Sequence, residues 1–530
     1  MLKDNFFDRK VYLEILEKRV VALKDGYRQN IAFIGDEQVG KSAILHKFLN
    51  SFLDNRFLLL YVEARPESLS LFCRRFAGVL LYNFLCSTDA LLKEDLEFLI
   101  EKSSGYIPKT VSKIKAILAD SQGRKKENIF SDLLSLCNII HQETGKFCVV
   151  IFDEFQNLET LGIKSLYKEW SQRLMLEKTT MFIIASSSVY KAKAILSGDL
   201  SLLFGNFEVI TVEPLDVKSS SEFLKLRLQA ANVKDEVRNF IVNFTGGYPV
   251  YLDIISQALI KSSPAGLVDT LEDLLFSSSG ILNQKFINYL KRFQDVQFGP
   301  DYLAILHLIS NGRNKIKDIS HILKKPVKLV NSRVSYLMGI DVIVRCGDFL
   351  KISDRVFGFW LKFVYQEKLN ALIFDHLNQK AAFRKNIDAL LHEFFSCAQK
   401  PVAERVTEIL RLFADERFQF ERKKVTLNHF REIKPLDFES RSLKEGLICR
   451  SSESLWIFGF KQEMLTEEDI SEFSRECKKY RNKLQKKIIV TLKDIDANSQ
   501  LKALDEKVWT WDLNSLNQIM DLFSKPRIIA

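Results

Sequence analysis

Glycine and proline are scarce in this chain: 21 Gly and 10 Pro among 530 residues, below the ordinary usage of about 7% and 5%. That shortage, with 47% hydrophobic and 27% charged residues, excludes long disordered tracts. It points to about three or four folded domains at this length. Eight cysteines are scattered without a single C-x-x-C pair, which argues against a disulfide scaffold and a zinc site and suits a reducing compartment. Cys148, inside an apolar run, reads as a buried thiol. No apolar run approaches the ~18 residues needed to cross a membrane. The opening MLKDNFFDRK is charged from its third residue, so no signal peptide is expected and the cytoplasm is the expected compartment. The net charge of +10 permits an acidic partner without demanding one.

Against those absences stands one dense stretch, Ile31–Lys47, IAFIGDEQVGKSAILHK. Gly35, Asp36, Glu37, Gln38, Val39, Gly40, Lys41 and Ser42 form a complete G-x-x-x-x-G-K-[ST] loop, with an apolar run before it and a helical pattern from Ala43 onward. Strand, loop and helix in that order are the context the motif needs. The glycines let backbone N–H groups and the helix N-terminus turn toward phosphate. Lys41 then reaches the β- and γ-phosphates, and Ser42 offers its hydroxyl to Mg2+. The bland alternative, a glycine turn between an ordinary strand and helix, weakens once a second motif joins it.

That second motif is Phe147–Asn157, FCVVIFDEFQN. A buried strand ending in Asp153 and Glu154 is the arrangement that pairs with a phosphate loop in nucleoside triphosphatases. Asp153 would hold Mg2+ and Glu154 would polarise the attacking water. Further strands read at Phe57–Glu63, Met181–Ser188 and Val209–Val212. Strands alternating with helices argue for a parallel α/β sheet. The hydroxyls ending MFIIASSS make Ser186 and Ser187 candidates to touch phosphate or water, and Ser187 is taken as the catalytic one. A simple capping role for these serines is the competing reading.

Residues 216–292 show helical spacing only and read as a lid, interrupted at Gly246-Gly247-Tyr248-Pro249, a rigid turn that ends one helix and starts another. Over 300–365 three short helices and a hairpin follow in the winged-helix order. Eleven Lys and Arg against five Asp leave this window at +6. Lys328, Asn331, Ser332 and Arg333 on its third helix are a groove-facing set for nucleic acid; a rigid spacer is the other reading. Residues 366–395 read as a helical linker. From 403 the order helix, two strands, helix, strand, helix, strand, helix gives a small α/β domain. The expected divisions are therefore 1–215 ATPase core, 216–295 lid, 296–366 winged helix, 367–402 linker and 403–530 C-terminal domain.

These residues resemble the prokaryotic (archaeal-type) ATPase family of the STAND branch of AAA-like P-loop ATPases. The resemblance rests on Phe7-Asp8-Arg9, the GDEQVGKS loop, VVIFDEFQN, IIASSS, GGYP and the stretch Ser353–Leu361, SDRVFGFWL. It implies a P-loop NTPase core with lid, winged helix and C-terminal α/β domain, using ATP and Mg2+. It also implies that Arg9, Tyr248 and Pro249 border the adenine and that the C-terminal domain is similar to the restriction-endonuclease-like fold. Two departures stand out. An Arg common in the family before the Glu213-Pro214-Leu215 turn is missing, and Asn206 stands near its place, so slow hydrolysis is expected. Leu447-Ile448-Cys449 and Gly459-Phe460-Lys461 lack the metal-holding acids of a nuclease. The expected function is an ATP-dependent switch with a protein partner and a nucleotide-dependent oligomer. The alternatives are a nucleotide-regulated DNA-binding protein and a scaffold with negligible turnover.

Overall fold

Parallel strands need cover on both faces, so their sequences run apolar without alternation; FCVVIFD and TMFIIAS are such runs. A computed structural model describes residues 6–86, 92–123, 128–201, 207–229, 231, 233–261, 266–370, 375–420, 423–439, 443, 445–480 and 484–529. The chain divides into two compact units, residues 1–213 with 339–341, and 214–338 with 342–530.

The first unit is built on five parallel strands: β1 (Asn30–Ile34), β2 (Phe57–Glu63), β3 (Phe147–Asp153), β4 (Thr180–Ser186) and β5 (Phe207–Thr211), in the order β2-β3-β4-β1-β5. Every residue of β1 and β4 is buried. Four helices, Leu69–Leu85, Leu96–Ser103, Pro108–Asp120 and Ile129–Thr144, fill the connection between β2 and β3. They close an aromatic core in which Phe72, Phe76, Phe130, Phe152, Trp170 and Phe182 are fully buried. Trp170 meets Phe152 and Phe182 edge-on, with centroids 5.5 and 5.3 Å apart. Truncating so large a buried ring typically costs about 3–5 kcal/mol. This core fixes the strand ends, and the strand ends carry the site.

The second unit begins with the helices Val217–Arg227, Asp235–Thr245, Pro249–Lys261, Leu267–Leu275 and Ile281–Gln294. Asp216 caps the first, its carboxylate accepting from Ser219 N at 2.7 Å. The GGYP turn does end one helix and start the next: Gly246 sits at the C-cap with φ 67° and Pro249 opens the following helix. Gly247 is required by close approach as well as by φ 86°, since a Cβ there would lie 2.0 Å from Leu215 O. Three helices follow (Gly299–Ser310, Ile316–Leu323, Val327–Gly339), then the antiparallel pair β6 (Ile343–Cys346) and β7 (Phe349–Ile352). The long helix His376–Ala398 leads to Val402–Leu410.

Beyond it the structure adds three strands that the sequence reading left out. These are the hairpin β8 (Glu416–Phe420) and β9 (Lys423–Leu427), and β10 (Glu432–Asp437). β10 is the edge of a five-stranded sheet with β11 (Glu445–Arg450), β12 (Leu455–Lys461), β13 (Leu484–Thr491) and β14 (Val508–Trp511). The first three strands of that sheet run antiparallel and the last three parallel. Pro435 within β10 and its charged neighbours suit only an edge position. Among the described residues no helix is long and apolar enough to cross a membrane.

Candidate functional site in the first unit

The phosphate loop sits between β1 and the helix Lys41–Ser51. It turns through Gln38 and Gly40, at φ 68° and 98°. Gly35 must be glycine because a Cβ would stand 2.2 Å from Val212 O, just past the end of β5. Lys41 is buried, and its Nζ donates to the carbonyls of Gly35 and Asp36, each at 2.8 Å. Burial pulls its ammonium below the ordinary lysine range, against the opposing fields of Glu154 and Asp153. An ammonium so placed spans the loop from within.

Asp153 ends β3 and is 2% exposed. Its Oδ2 accepts from Ser42 Oγ and from Tyr61 Oη, both at 2.7 Å. Its Oδ1 accepts from Glu154 N at 3.0 Å. Ser42 and Asp153 thus form a pair of hard oxygens at the mouth of the loop. That donor set fits Mg2+, which takes one or two protein oxygens together with water and substrate phosphates.

Glu154 follows with φ 52°, in the left-handed region. This turns its side chain toward the end of the neighbouring strand β4. There its Oε2 accepts from Ser187 Oγ at 2.7 Å and Ser187 N at 3.0 Å, and from Gln156 Nε2 at 2.6 Å. Of the two candidate serines, Ser187 meets the acid. Ser186 is fully buried and closes a local turn, its Oγ accepting from Ser188 N at 3.0 Å.

Arg9 also arrives at the loop. Its Nη2 donates to Val39 O at 3.3 Å and to Glu213 O at 2.6 Å, from a backbone held left-handed at Asp8 and Arg9. Tyr248 and Pro249 belong to the second unit. Tyr248 is buried there, with its hydroxyl 3.5 Å from Ser353 O. Asn206 lies outside the described residues. Two participants escaped the sequence reading. Tyr61 was hidden inside an apolar strand, where only the β2–β3 pairing gives its hydroxyl a partner; His46 packs on its ring with centroids 4.6 Å apart. Gln156, two residues past Glu154, was in plain view within DEFQN, but its reach back to the acid depends on the short helix Phe155–Leu161.

Residues 6–255 match a family model described as an ATPase domain predominantly from Archaea. The chain is 25% identical over 279 residues to the general transcription and DNA repair factor IIH helicase subunit XPD of Schizosaccharomyces pombe, an alignment covering 51% of this chain and 30% of that protein. It is 24% identical over 310 residues to an uncharacterized ATP-binding protein of Methanocaldococcus jannaschii, covering 56% of this chain and 79% of the relative. Among solved structures, the Walker-type ATPase of Pyrococcus abyssi aligns with a TM-score of 0.48 at 19% identity, over 68% of this chain and 97% of that one. The chain therefore spans less than a third of the helicase subunit that it matches. With the phosphate loop and the paired acids set on a five-stranded parallel sheet, the first unit carries a P-loop ATPase fold, and residues 6–255 are similar to the archaeal-type ATPase domain.

Proposed function

We propose that this domain works as an ATP-driven switch of the STAND type, whose turnover is slow and whose nucleotide state governs the second unit and a protein partner. The observation that carries the reading is the tether on Glu154. Three donors converge on one carboxylate oxygen, so the acid has a defined resting position from which it must turn to meet a water. In the cycle we infer, loop N–H groups and Lys41 bind the triphosphate, and Ser42 and Asp153 hold Mg2+. Arg9 and, by resemblance, Tyr248 and Pro249 border the base. The metal supplies charge neutralisation on the β- and γ-phosphate oxygens. Glu154 orients the attacking water and accepts its proton, while Ser187 reports the change along β4. Asn206, near the place where the family commonly has Arg, supports slow turnover.

ATPase assays on Lys41→Ala and Glu154→Gln test this. Lys41→Ala should lose nucleotide binding; Glu154→Gln should keep ATP affinity within about threefold and lose at least about 100-fold in kcat. Wild-type turnover in Glu154→Gln would sink the reading.

A second reading, nucleotide-regulated DNA binding through residues 296–366 taken as a winged helix, rests on the exposed cations Arg313, Lys317, Lys324, Lys328 and Arg345. The window's +6 is partly consumed inside the fold. Lys325 and Arg333 pair with Asp301, Lys315 with Glu416, and Lys351 and Arg355 with Asp521. Arg333 also stacks on Phe298 at 3.6 Å, which weighs against its part in the groove-facing set. Fluorescence anisotropy with duplex DNA at two salt concentrations decides it, since phosphate contacts give a steep salt slope. For the C-terminal domain we infer an endonuclease-like scaffold without nuclease chemistry. Three antiparallel strands, a helix and a parallel strand support that fold. Lys461 is taken up by Asp469 at 3.2 Å.

A further inference from the structure

The second unit contains a cavity of about 290 Å3, at the small end of the ~300–1,000 Å3 typical of ligand clefts. Its wall comes from five separate segments: the helix Asp235–Thr245, the end of the helix Gly299–Ser310 with Asn314 beyond it, β7 with the stretch through Phe363, the long helix His376–Ala398, and the C-terminal helix Leu513–Leu522 with its tail. The lining holds a continuous aromatic run, Phe244, Phe359 and Phe363, with successive ring centroids 5.1 and 4.9 Å apart, and Phe394. It also carries charge.

The floor is Asp521, whose carboxylate is 1% exposed. Lys351 donates to it at 2.7 Å, Arg527 at 2.8 and 3.1 Å, and Arg355 closes a further ion pair. Three cations therefore meet one carboxylate. Burial alone would raise the Asp521 pKa, but Arg355, Arg527 and Lys351 outweigh it and hold the group well below the usual carboxylate range. Asn243 adds an oxygen that accepts from Arg527 N at 2.9 Å. Two more cations, Lys362 and Lys525, line the cavity, and among the described residues neither has an ion-pair partner. Of the remaining acids, Asp354 is already held by the Tyr251 hydroxyl and the N–H of Phe357, with Lys285 beside it; Glu393 is exposed. Positive charge removed from water without compensation is costly. Here the cations line an open volume that they share with the phenylalanines, Lys362 lying 4.8 Å over the Phe363 ring.

We propose that this cavity is a binding site for a small organic anion, a phosphate or carboxylate carried on a flat apolar body. The anionic group faces Arg355, Lys351, Lys362 and Lys525, and the body lies against the phenylalanines. Because five segments of the unit contribute wall, an occupant ties them together, which is the geometry of an effector site. The inference is independent of how the phosphate loop is used.

The test is calorimetric titration of the full chain carrying Lys41→Ala, which removes the loop as a competing phosphate site, with 1-naphthyl phosphate as probe. 1-Naphthoate tests whether carboxylate substitutes for phosphate, while 1-naphthol and inorganic phosphate each supply half of the recognition. Saturable one-site binding of 1-naphthyl phosphate, weakened at least tenfold by Lys362→Glu and by Lys525→Glu, with 1-naphthol and inorganic phosphate at least tenfold weaker, is the expected result. Those lysines stand off the Asp521 cluster, so the variants should melt within a degree or two of their parent. The proposal is overturned by absent saturable binding, by binding indifferent to both variants, or by 1-naphthol binding as tightly as its phosphate.

Discussion

Replacing Tyr61 with Phe removes one oxygen atom from the edge of the site and leaves the ring, with its His46 contact, in place. The lost bond is the 2.7 Å donation to Asp153 Oδ2, the oxygen that also accepts from Ser42. Hydrogen bonds to a charged partner contribute about 1.5–3 kcal/mol, and outer partners of metal ligands commonly matter about 10–100-fold in metal affinity. Since Ser42 still holds that oxygen, the low end applies: about 1.4 kcal/mol, or tenfold. The expected result is a roughly tenfold rise in the Mg2+ concentration giving half-maximal ATPase activity. Binding of ATP in EDTA should be unchanged, and kcat at saturating Mg2+ should fall no more than about threefold. A fluorescent ATP analogue supplies the metal-free affinity, and a coupled assay across a Mg2+ series supplies the rest. If half-saturation stays within twofold of wild type, the phenol merely satisfies a buried carboxylate and the positioning argument fails.

Three further predictions follow from other contacts. Ser187→Ala removes one of the three donors on Glu154 while keeping the backbone bond, and should lower kcat about tenfold with nucleotide affinity nearly unchanged; equal losses in both would assign Ser187 to binding. Asp521→Asn leaves Lys351, Arg355 and Arg527 gathered without their carboxylate and should cost about 3–5 kcal/mol, read as a lowered melting temperature by calorimetry; a loss below about 1 kcal/mol would refute the cluster's importance. Lys486 lies 4.3 Å from the rings of both Trp456 and Trp509, and burial lowers its pKa from 10.5 to about 8. Its folded form is thus penalised while charged, below pH 8, and the penalty fades as pH rises toward 10.5. Wild type should therefore gain about 1 kcal/mol on Lys486→Met between pH 7.5 and 10, after allowance for solvent screening, in urea titrations at the two pH values; a flat difference would contradict the assignment.

The sequence was most informative where chemistry is local. GDEQVGKS needs no distant partner to be recognised, and the runs at β2, β3 and β4 are unbroken because a parallel sheet buries them on both faces. Edge strands were harder. Lys423-Lys424 in β9 and Pro435 in β10 are the charged and proline residues that keep an edge from pairing further, and the same residues mask the strands from an apolar search. Contacts made across the sheet were out of reach. That Ser187 rather than Ser186 meets Glu154 follows from β3 and β4 being neighbours and from the left-handed turn at Glu154. The inward turn of Arg333 required Asp301 and Phe298 to be in place.

The strand order β2-β3-β4-β1-β5 also makes the sheet a ruler. β4 lies between the strand that launches the phosphate loop and the strand that delivers the acids, so those two strands stand two interstrand spacings apart, roughly 9.6 Å. Backbone hydrogen bonding sets that gap, and no side-chain substitution shortens or widens it. Ser187, just past the end of the intervening strand, marks its midpoint. Variation at Asp153, Glu154 or Ser187 changes the chemistry at the strand ends, whereas only a change in strand pairing would change the spacing of the strands that carry it.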